Sequence, residues 1–570
     1  MEKIFKLNKR LIALAISLPI WFSACDTNLD ETPLDFLSSN NAYTTLAGIE
    51  QGINGLHYKV RNDWFWGEEL QDVLSIYYGL GTDIAFHGED PASTRFLCDY
   101  VTYLTPSSEY VEEYWINSYQ LIQYANVLID GINTADESIW TEDGEKEAYF
   151  GEAKFFRAWG YRILASFFGD VPLVTEVTSS VKTDYVRAPV SDIYAQMEED
   201  LIYAATYLPE PGDEAEPGRI TQGAAWHLLC EVYLAEKKYQ NAVDAATKVI
   251  DGYHYHLMTE RFGSTTDVFG SGDVYLDLFA YGNQNLSENT EAIWVVQFEP
   301  NVTGGEDYPG ERAWGPAYFR MGKTPDGYQA ILGELYNGSY TGYSDTLGRP
   351  VSWIHPTDYA AYKIWRSDWN NDIRNAKHSI KRNFYFDNPA SAYDGMKIDF
   401  SLYPSSAGRD AIKDTCQYIF PFFMKHADPC HHFTNEARSG GGYDHKDVYA
   451  MRLAETYLFR AEAYLGLDKK QLAADDINVV RTRANATPVS AADVDEDYLL
   501  DERTRELYGE VCRHITLRRF GNLVGRVREY NNNPKNPGLD IQDYNDLWPI
   551  PQNQIDLNVD AVMEQNPGYE

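Results

Sequence analysis

The sequence predicts a mostly α-helical protein, in which paired amphipathic helices form a scaffold and a large loop-rich insertion carries short strands. Three observations predict it. Between Lys446 and Ala486, Leu453, Tyr457, Leu458, Ala461, Tyr464 and Leu465 recur three and four residues apart. After a break at Gly466-Leu467-Asp468, with Gly466 suited to a helix C-cap, a second stripe runs through Leu472, Ala473, Ile477, Val480 and Ala484. Two such helices joined by a short loop fold back on each other, because neither apolar stripe is stable in water. The pattern recurs at Gln222–Asp251, where Cys230-Glu231-Val232-Tyr233-Leu234 aligns with Ala461-Glu462-Ala463-Tyr464-Leu465. Between residues 255 and 445 the helical period mostly fails, and the chain is rich in Gly, Pro, Asn, Tyr and Trp.

Taken in order, residues 1–24 read as an export signal. Lys3, Lys6, Lys9 and Arg10 form a basic start, and Leu11–Phe22 is an apolar run too short to span a bilayer and interrupted by Pro19. Phe22-Ser23-Ala24-Cys25 resembles a bacterial lipobox, with Phe where the motif prefers Leu, and makes Cys25 the lipidated N-terminus. An ordinary signal peptide followed by a chance cysteine is the alternative. Cleavage removes four basic residues and one acid, taking the formal net charge from −38 to −41. Several acyl chains on Cys25 would anchor the protein stably, each buried CH₂ contributing about 0.8 kcal/mol. Residues 25–39, opening Asp26-Thr27-Asn28-Leu29-Asp30-Glu31, are a polar tether.

Residues 40–254 form a helical region. Helices are expected at Asn40–Asn62, Glu112–Ile129, Glu145–Phe168, Ser191–Leu208 and in the Gln222–Asp251 hairpin. Gly- and Pro-rich loops separate them at Tyr78–Pro91, Lys182–Arg187 and Pro209–Arg219. Hairpins of this tetratricopeptide-like kind bury a continuous core by stacking. Residues 255–445 are the loop-rich region, with one apolar strand in Ala292–Phe298 whose Trp294 belongs to a core. Loops held by a rigid frame are where binding sites concentrate. Residues 446–570 return to helix.

Composition removes several functions. A formal charge of −38 repels phosphate backbones, so no nucleic-acid partner is expected. Aromatic residues make up 14% of the chain, too many for a disordered one. Six Cys without a CxxC pair give neither a zinc framework nor a disulfide scaffold. Cys416, His426, Cys430, His431 and His432 are close in sequence, but not at zinc-finger spacing. A metal site, a Cys416–Cys430 disulfide, and plain thiols with surface histidines remain open there. Asp493–Asp497 mimics the start of a calcium loop, yet Tyr498 and Thr504 stand where Gly and Glu are required, so an acidic helix start is expected instead. GxSxG, HExxH, Walker A and GxGxxG motifs are absent from the sequence. No catalytic residue, metal or cofactor is assigned.

The C-terminal motifs carry a family resemblance. Asp501-Glu502-Arg503-Thr504-Arg505-Glu506-Leu507 precedes Gly509-Glu510, Arg513 and Leu517-Arg518-Arg519-Phe520-Gly521. The chain ends with Leu547-Trp548-Pro549-Ile550-Pro551 and Gln565-Asn566-Pro567-Gly568-Tyr569. With Met451-Arg452-Leu453-Ala454-Glu455 and Asp372-Ile373-Arg374-Asn375, the chain from Cys25 to Glu570 resembles the SusD/RagB family of nutrient-uptake lipoproteins. The motifs themselves read as structure. Arg503, Glu506, Glu510 and Arg513, spaced three and four apart, suit ion pairs along one helix, and Trp548–Pro551 suits an extended segment pinning the C-terminus.

The resemblance implies a non-catalytic protein of the cell surface, held to the outer membrane by its lipid anchor. Such a protein captures oligosaccharides and passes them to a SusC-like TonB-dependent transporter. An oligopeptide-receiving, RagB-like member is the alternative, and a hydrolase a more distant one. It also implies where ligand binds, in the loops near residues 79–95 and 303–320. Sugars offer C–H faces to aromatic rings and hydroxyls to polar side chains. The expected platforms are therefore Trp64, Trp66, Tyr308, Trp314, Tyr318 and Trp353, and the expected polar partners Asp83, Asp90, Glu306 and Arg312. The Gly- and Pro-rich setting of Trp314 places it in a surface loop, since such a stretch would strand backbone groups in a core.

Overall fold

The structure, a computed structural model, describes residues 42–66, 72–89, 95–263, 272–299, 302–305, 307–428 and 445–569. Its frame is a stack of helices. Helix α1 (Leu46–Val60) is followed by the short α2 (Asp72–Tyr78), α3 (Glu109–Thr134), α4 (Glu145–Phe168), α5 (Val190–Tyr207), α6 (Gln222–Ala235) and α7 (Tyr239–Gly252). Helix α1 lies against α3, and from α3 to α7 each helix packs on the next. The chain then leaves the stack and rejoins it as α8 (Leu453–Gly466) and α9 (Lys470–Arg483), with α8 packed directly on α7. The two hairpins legible in the sequence are thus consecutive in space, and residues 253–452 are an excursion from a continuous stack.

The two hairpins turn alike. Lys237 and Asp468 take left-handed backbone angles (φ 59° and 57°), and the amides of Lys238 and Lys469 each donate to a carbonyl five residues back, on Tyr233 and Tyr464, at 2.8 Å. That is a Schellman closure, made without glycine. Gly466 is therefore not the cap. It sits where a Cβ would fall 2.5 Å from the Tyr239 ring, so it is the close approach of α7 that requires glycine. In α9 the buried stripe is Ala473, Ala474, Ile477 and Val480; Leu472 faces solvent.

Short strands join the excursion to the frame. Strand β1 (Ala85–His87) lies inside the stretch read as a loop, and β2 (Ala292–Val296) within the stretch read as a strand. Their partners are β3 (Ile354–Pro356) and β4 (Val448–Arg452). β1 pairs antiparallel with β3, matching Phe86 to His355. β2 pairs antiparallel with β4, which runs straight into α8. Trp294 is buried and meets Trp159 edge-on at 5.1 Å. One cluster of buried side chains reaches from Ile49 to Met563, so frame and excursion share a core.

Helix α10 (Glu496–Leu507) begins where the acidic run predicts, with the Asp495 side chain accepting from the Tyr498 amide at 2.8 Å. The short α11 (Arg513–Arg519) and α12 (Leu523–Tyr530) follow. The expected ion pairs along one helix do not form. Glu510 and Arg513 lie beyond the end of α10, and each charge finds its partner elsewhere. Arg503 meets Glu455 at 2.6 Å, Arg513 meets Asp83 at 2.6 Å, and Glu510 takes Lys425 at 2.6 Å and Arg452 at 2.9 Å. Glu506 receives Arg452 at 2.8 Å, Arg374 at 2.9 Å and Arg483. From Leu499 to its end α10 is buried, so its charges are neutralised by packed neighbours rather than along a wet face. Burial would raise the Glu506 carboxyl, but the guanidiniums of Arg483, Arg452 and Arg374 outweigh it and hold it far below the usual carboxylate range. The C-terminus is pinned as expected: the amide of the buried Trp548 donates to Phe167 O at 2.7 Å and Asn566 Nδ2 to Phe168 O at 2.9 Å. Among the described residues no helix is long and apolar enough to cross a membrane.

Candidate functional site

The two loops singled out in the sequence meet at one end of the excursion. Behind β1, Asp83 is buried between Arg513 (Nε 2.9 Å, Nη2 2.6 Å) and Arg526 (Nε 2.7 Å). After β1, the amide of Gly88 donates to Trp353 O at 3.3 Å. The second loop is joined to the same strip, since Val351 N donates to Arg312 O at 2.9 Å and Ser352 N to Gly315 O at 3.0 Å. Phe86 stacks on His355 at 4.5 Å, and Phe420 closes on that imidazole at 4.4 Å. Burial holds His355 neutral, its pKa lowered to about 4.

Most of the expected platforms face inward. Trp314 ends a single helical turn, Gly310–Trp314, and is 2% exposed. Its ring lies flat on His426 (4.5 Å, planes 10° apart) and against Tyr508 at 4.8 Å. Gly509, at φ 71°, makes the fit possible, because a Cβ there would fall 2.8 Å from the indole and closer still to His426. This Gly- and Pro-rich stretch lies in the interior and not in a surface loop because its backbone groups are paired. Ala313 N donates to Pro309 O, Gly315 N to Glu311 O, and Ala317 N to both Gln417 O and Ser352 Oγ. Tyr308 packs on Phe298 at 5.5 Å. Tyr318 is buried with its hydroxyl donating to Gly348 O at 2.8 Å, and Trp353 is 5% exposed beneath the Arg312 guanidinium at 5.6 Å. Trp64 belongs to the helical core, edge-on to Tyr114 at 5.1 Å. These five rings therefore offer no face to solvent.

Asp83 is not a surface acceptor either. Burial would raise its carboxyl, yet Arg513 and Arg526 outweigh burial and hold it at about 2. It is a structural anion fixing β1 to the C-terminal helices. Trp66 closes a π-helical turn, Arg61–Trp66. Cys25, Asp90 and Glu306 lie outside the described residues, as do Cys430, His431 and His432. Cys416 and His426 are both buried, and among the described residues no three His, Cys, Asp or Glu side chains are grouped to hold a metal ion.

What the end of the excursion does present is a rim of arginines around one carboxylate. Arg95 lies 3.4 Å and Arg320 3.5 Å from Glu89, all three partly exposed. The guanidiniums of Arg320 and Arg349 lie 5.5 and 5.7 Å from the Phe319 ring centre, and the half-buried Arg312 lies nearby over Trp353. Forked donors and an aromatic edge are suited to hydroxyls and C–H faces. Sequence reasoning named Arg312 alone of these. Phe319-Arg320 follows Tyr318 directly, but spacing gives no sign that Tyr318 turns in while its neighbours turn out.

Two family models match the chain. One, described as the SusD family, covers residues 290–569; the other, described as starch-binding associating with outer membrane, covers residues 86–234. The SusD-like protein P25 of Formosa agariphila is 23% identical over 557 residues, 94% of each chain. The starch-binding protein SusD of Bacteroides thetaiotaomicron is 27% identical over 489 residues, covering 82% of this chain and 80% of that one. Among solved structures, a laminarin-binding SusD-like protein superposes with a TM-score of 0.64 at 21% identity, over 92% of this chain and all of that one. The two matched segments lie in chain order, the relatives span its length, and the stack with its excursion has the same shape: the chain belongs to the SusD/RagB family.

Proposed function

We propose that this protein is a cell-surface lipoprotein, anchored through Cys25, that binds oligosaccharides without cleaving them. It hands them to a SusC-type TonB-dependent transporter in the outer membrane. The observation that carries this reading is the correspondence with a starch-binding relative over four-fifths of both chains. The geometry is compatible. The loops at residues 79–89 and 307–320 form one strip with Trp353, and the ligand would rest on the rim above it, on Glu89, Arg95, Arg312, Phe319 and Arg320. The buried rings beneath set the shape of that floor rather than touching sugar. Asp90 and Glu306 adjoin the strip in sequence and remain in the proposed site, as does Trp66.

Asp83, Glu455 and Glu506 have their pKa lowered by buried arginines, which is the behaviour of structural ion pairs, whereas burial pushes the Asp447 carboxyl up to about 6. Affinity electrophoresis and calorimetry against a panel of neutral polysaccharides test the reading. Retardation by at least one glycan, without release of reducing ends, is expected, and Arg320→Ala weakens it. Absence of binding to every glycan, together with peptides co-purifying with the native complex, would overturn it in favour of an oligopeptide ligand.

A further inference from the structure

Beyond β3 and the helical turn Asp358–Ala361, two large rings stand in solvent. Tyr362 is 42% exposed and Trp369 41%. Their ring centres are 6.3 Å apart and their planes only 13° from parallel. The guanidinium carbon of Arg382 lies 4.7 Å from the Trp369 centre and 5.6 Å from the Tyr362 centre. Both distances are shorter than that between the rings, so the guanidinium bridges the two. It is tied there by hydrogen bonds from Nη2 to Ala361 O (2.7 Å) and Asn375 Oδ1 (2.6 Å). Asn375 also donates to Trp369 O at 2.7 Å, so one side chain fixes both the backing cation and the indole's backbone.

The segment between the rings is held just as firmly. Trp365 is buried and anchors it from below. Arg366 is forced to φ 44°, a left-handed angle that a residue with a Cβ avoids, and its guanidinium is bound to Asp501 at 2.5 Å. A strained turn, clamped at both ends, keeps two aromatic side chains where water reaches them. Burying either ring would be favourable on apolar area alone.

We propose that Tyr362 and Trp369 form a second glycan platform, on which the C–H faces of pyranose rings from a neutral oligosaccharide stack. The exposed side chains of Asn370 and Asn371 stand beside it to meet hydroxyls. Neutral sugars fit better than uronates or sulfated glycans, because a chain of formal charge −38 repels polyanions before contact. This rests on the glycan-binding reading and adds a second point of attachment. Two points on one molecule raise the retention of a long polysaccharide far more than that of a short oligosaccharide.

The test uses the full mature protein and its Trp369→Ala, Trp369→Tyr and Tyr362→Ala variants. Each is run through gels containing a neutral polysaccharide that the wild type binds, and each melting temperature is recorded. Trp369→Ala is expected to weaken retention about tenfold at an unchanged melting temperature, Tyr362→Ala to weaken it as well, and Trp369→Tyr to restore most of it. Equal retention of wild type and Trp369→Ala overturns the platform and leaves glycan binding standing. No retention of the wild type by any glycan overturns both. A fall in melting temperature with no rescue by Tyr shows a packing role and overturns the platform. So does a defect seen only in co-purification with a protein partner.

Discussion

Trp314 shows how far a side chain's surroundings can depart from its sequence context. Stacked on His426 and pressed against Tyr508, it fills a space that nothing else can fill. Trp314→Ala should therefore cost about 3–5 kcal/mol, as for other large-to-small changes in a core, read as a lower midpoint in chemical denaturation. Glycan affinity measured on the folded fraction should fall little. Asp83 makes a prediction in pH. Its folded-state pKa, about 2, lies below the ordinary 3.8, so the stability its ion pairs contribute is fully present above pH 4. That contribution is lost as the pH falls from about 4 towards 2. Melting curves of the wild type should drop through that window, and Asp83→Asn should be less stable at neutral pH and flatter below pH 4. An unchanged slope in the variant would show that other carboxylates dominate.

Helix α10 is held by cations from three other parts of the chain. Glu506 is the meeting point of Arg374, Arg452 and Arg483, which arrive from the excursion, from β4 and from α9. Glu506→Gln leaves three buried guanidiniums short of an anion and should cost about 3–5 kcal/mol. A double-mutant cycle with Arg452→Met should show coupling of the same order if the pairing is direct. This network also marks where sequence reading succeeds and stops. Amphipathic helices announce themselves through local spacing, so α4 to α7 were legible nearly to the residue, α3 fell short by three and five residues at its ends, and α8 and α9 were legible as a hairpin, as was the strand around Trp294. The motifs at 372–375, 451–455 and 501–513 were legible as motifs, but not as one cluster, because nothing local reports which distant guanidinium a buried glutamate will meet. The candidate site was harder for the same reason. Its loops could be named, but whether Trp314 or Phe319 faces out depends on partners such as Gln417 and Ser352, which supply the hydrogen bonds that let a polar stretch enter the interior. Strand β1 was missed because three residues carry too little period to stand out within a Gly-rich run.

The whole molecule is a frame whose two ends are knitted together, and Cys25, the proposed site of lipidation, lies before the described residues. Because Cys25 precedes every described element, Cys25→Ala should leave the melting temperature unchanged while releasing the protein from membranes. A variant that still sediments with membranes in cells lacking the transporter would contradict attachment through Cys25. The pairing of Asp83 with Arg513 and Arg526 has a further consequence, because these partners lie 430 and 443 residues apart along the chain. A polypeptide made from its N-terminus cannot neutralise Asp83, or seat β1 against the C-terminal helices, until nine-tenths of it exists. Trp548 and Asn566 delay the capping of α4 until later still. Contacts of such long range close slowly. The order of synthesis therefore leaves Asp83 and the end of α4 without their partners until the last helices emerge, while the helices from α3 to α7, each packed on the next, need no such wait.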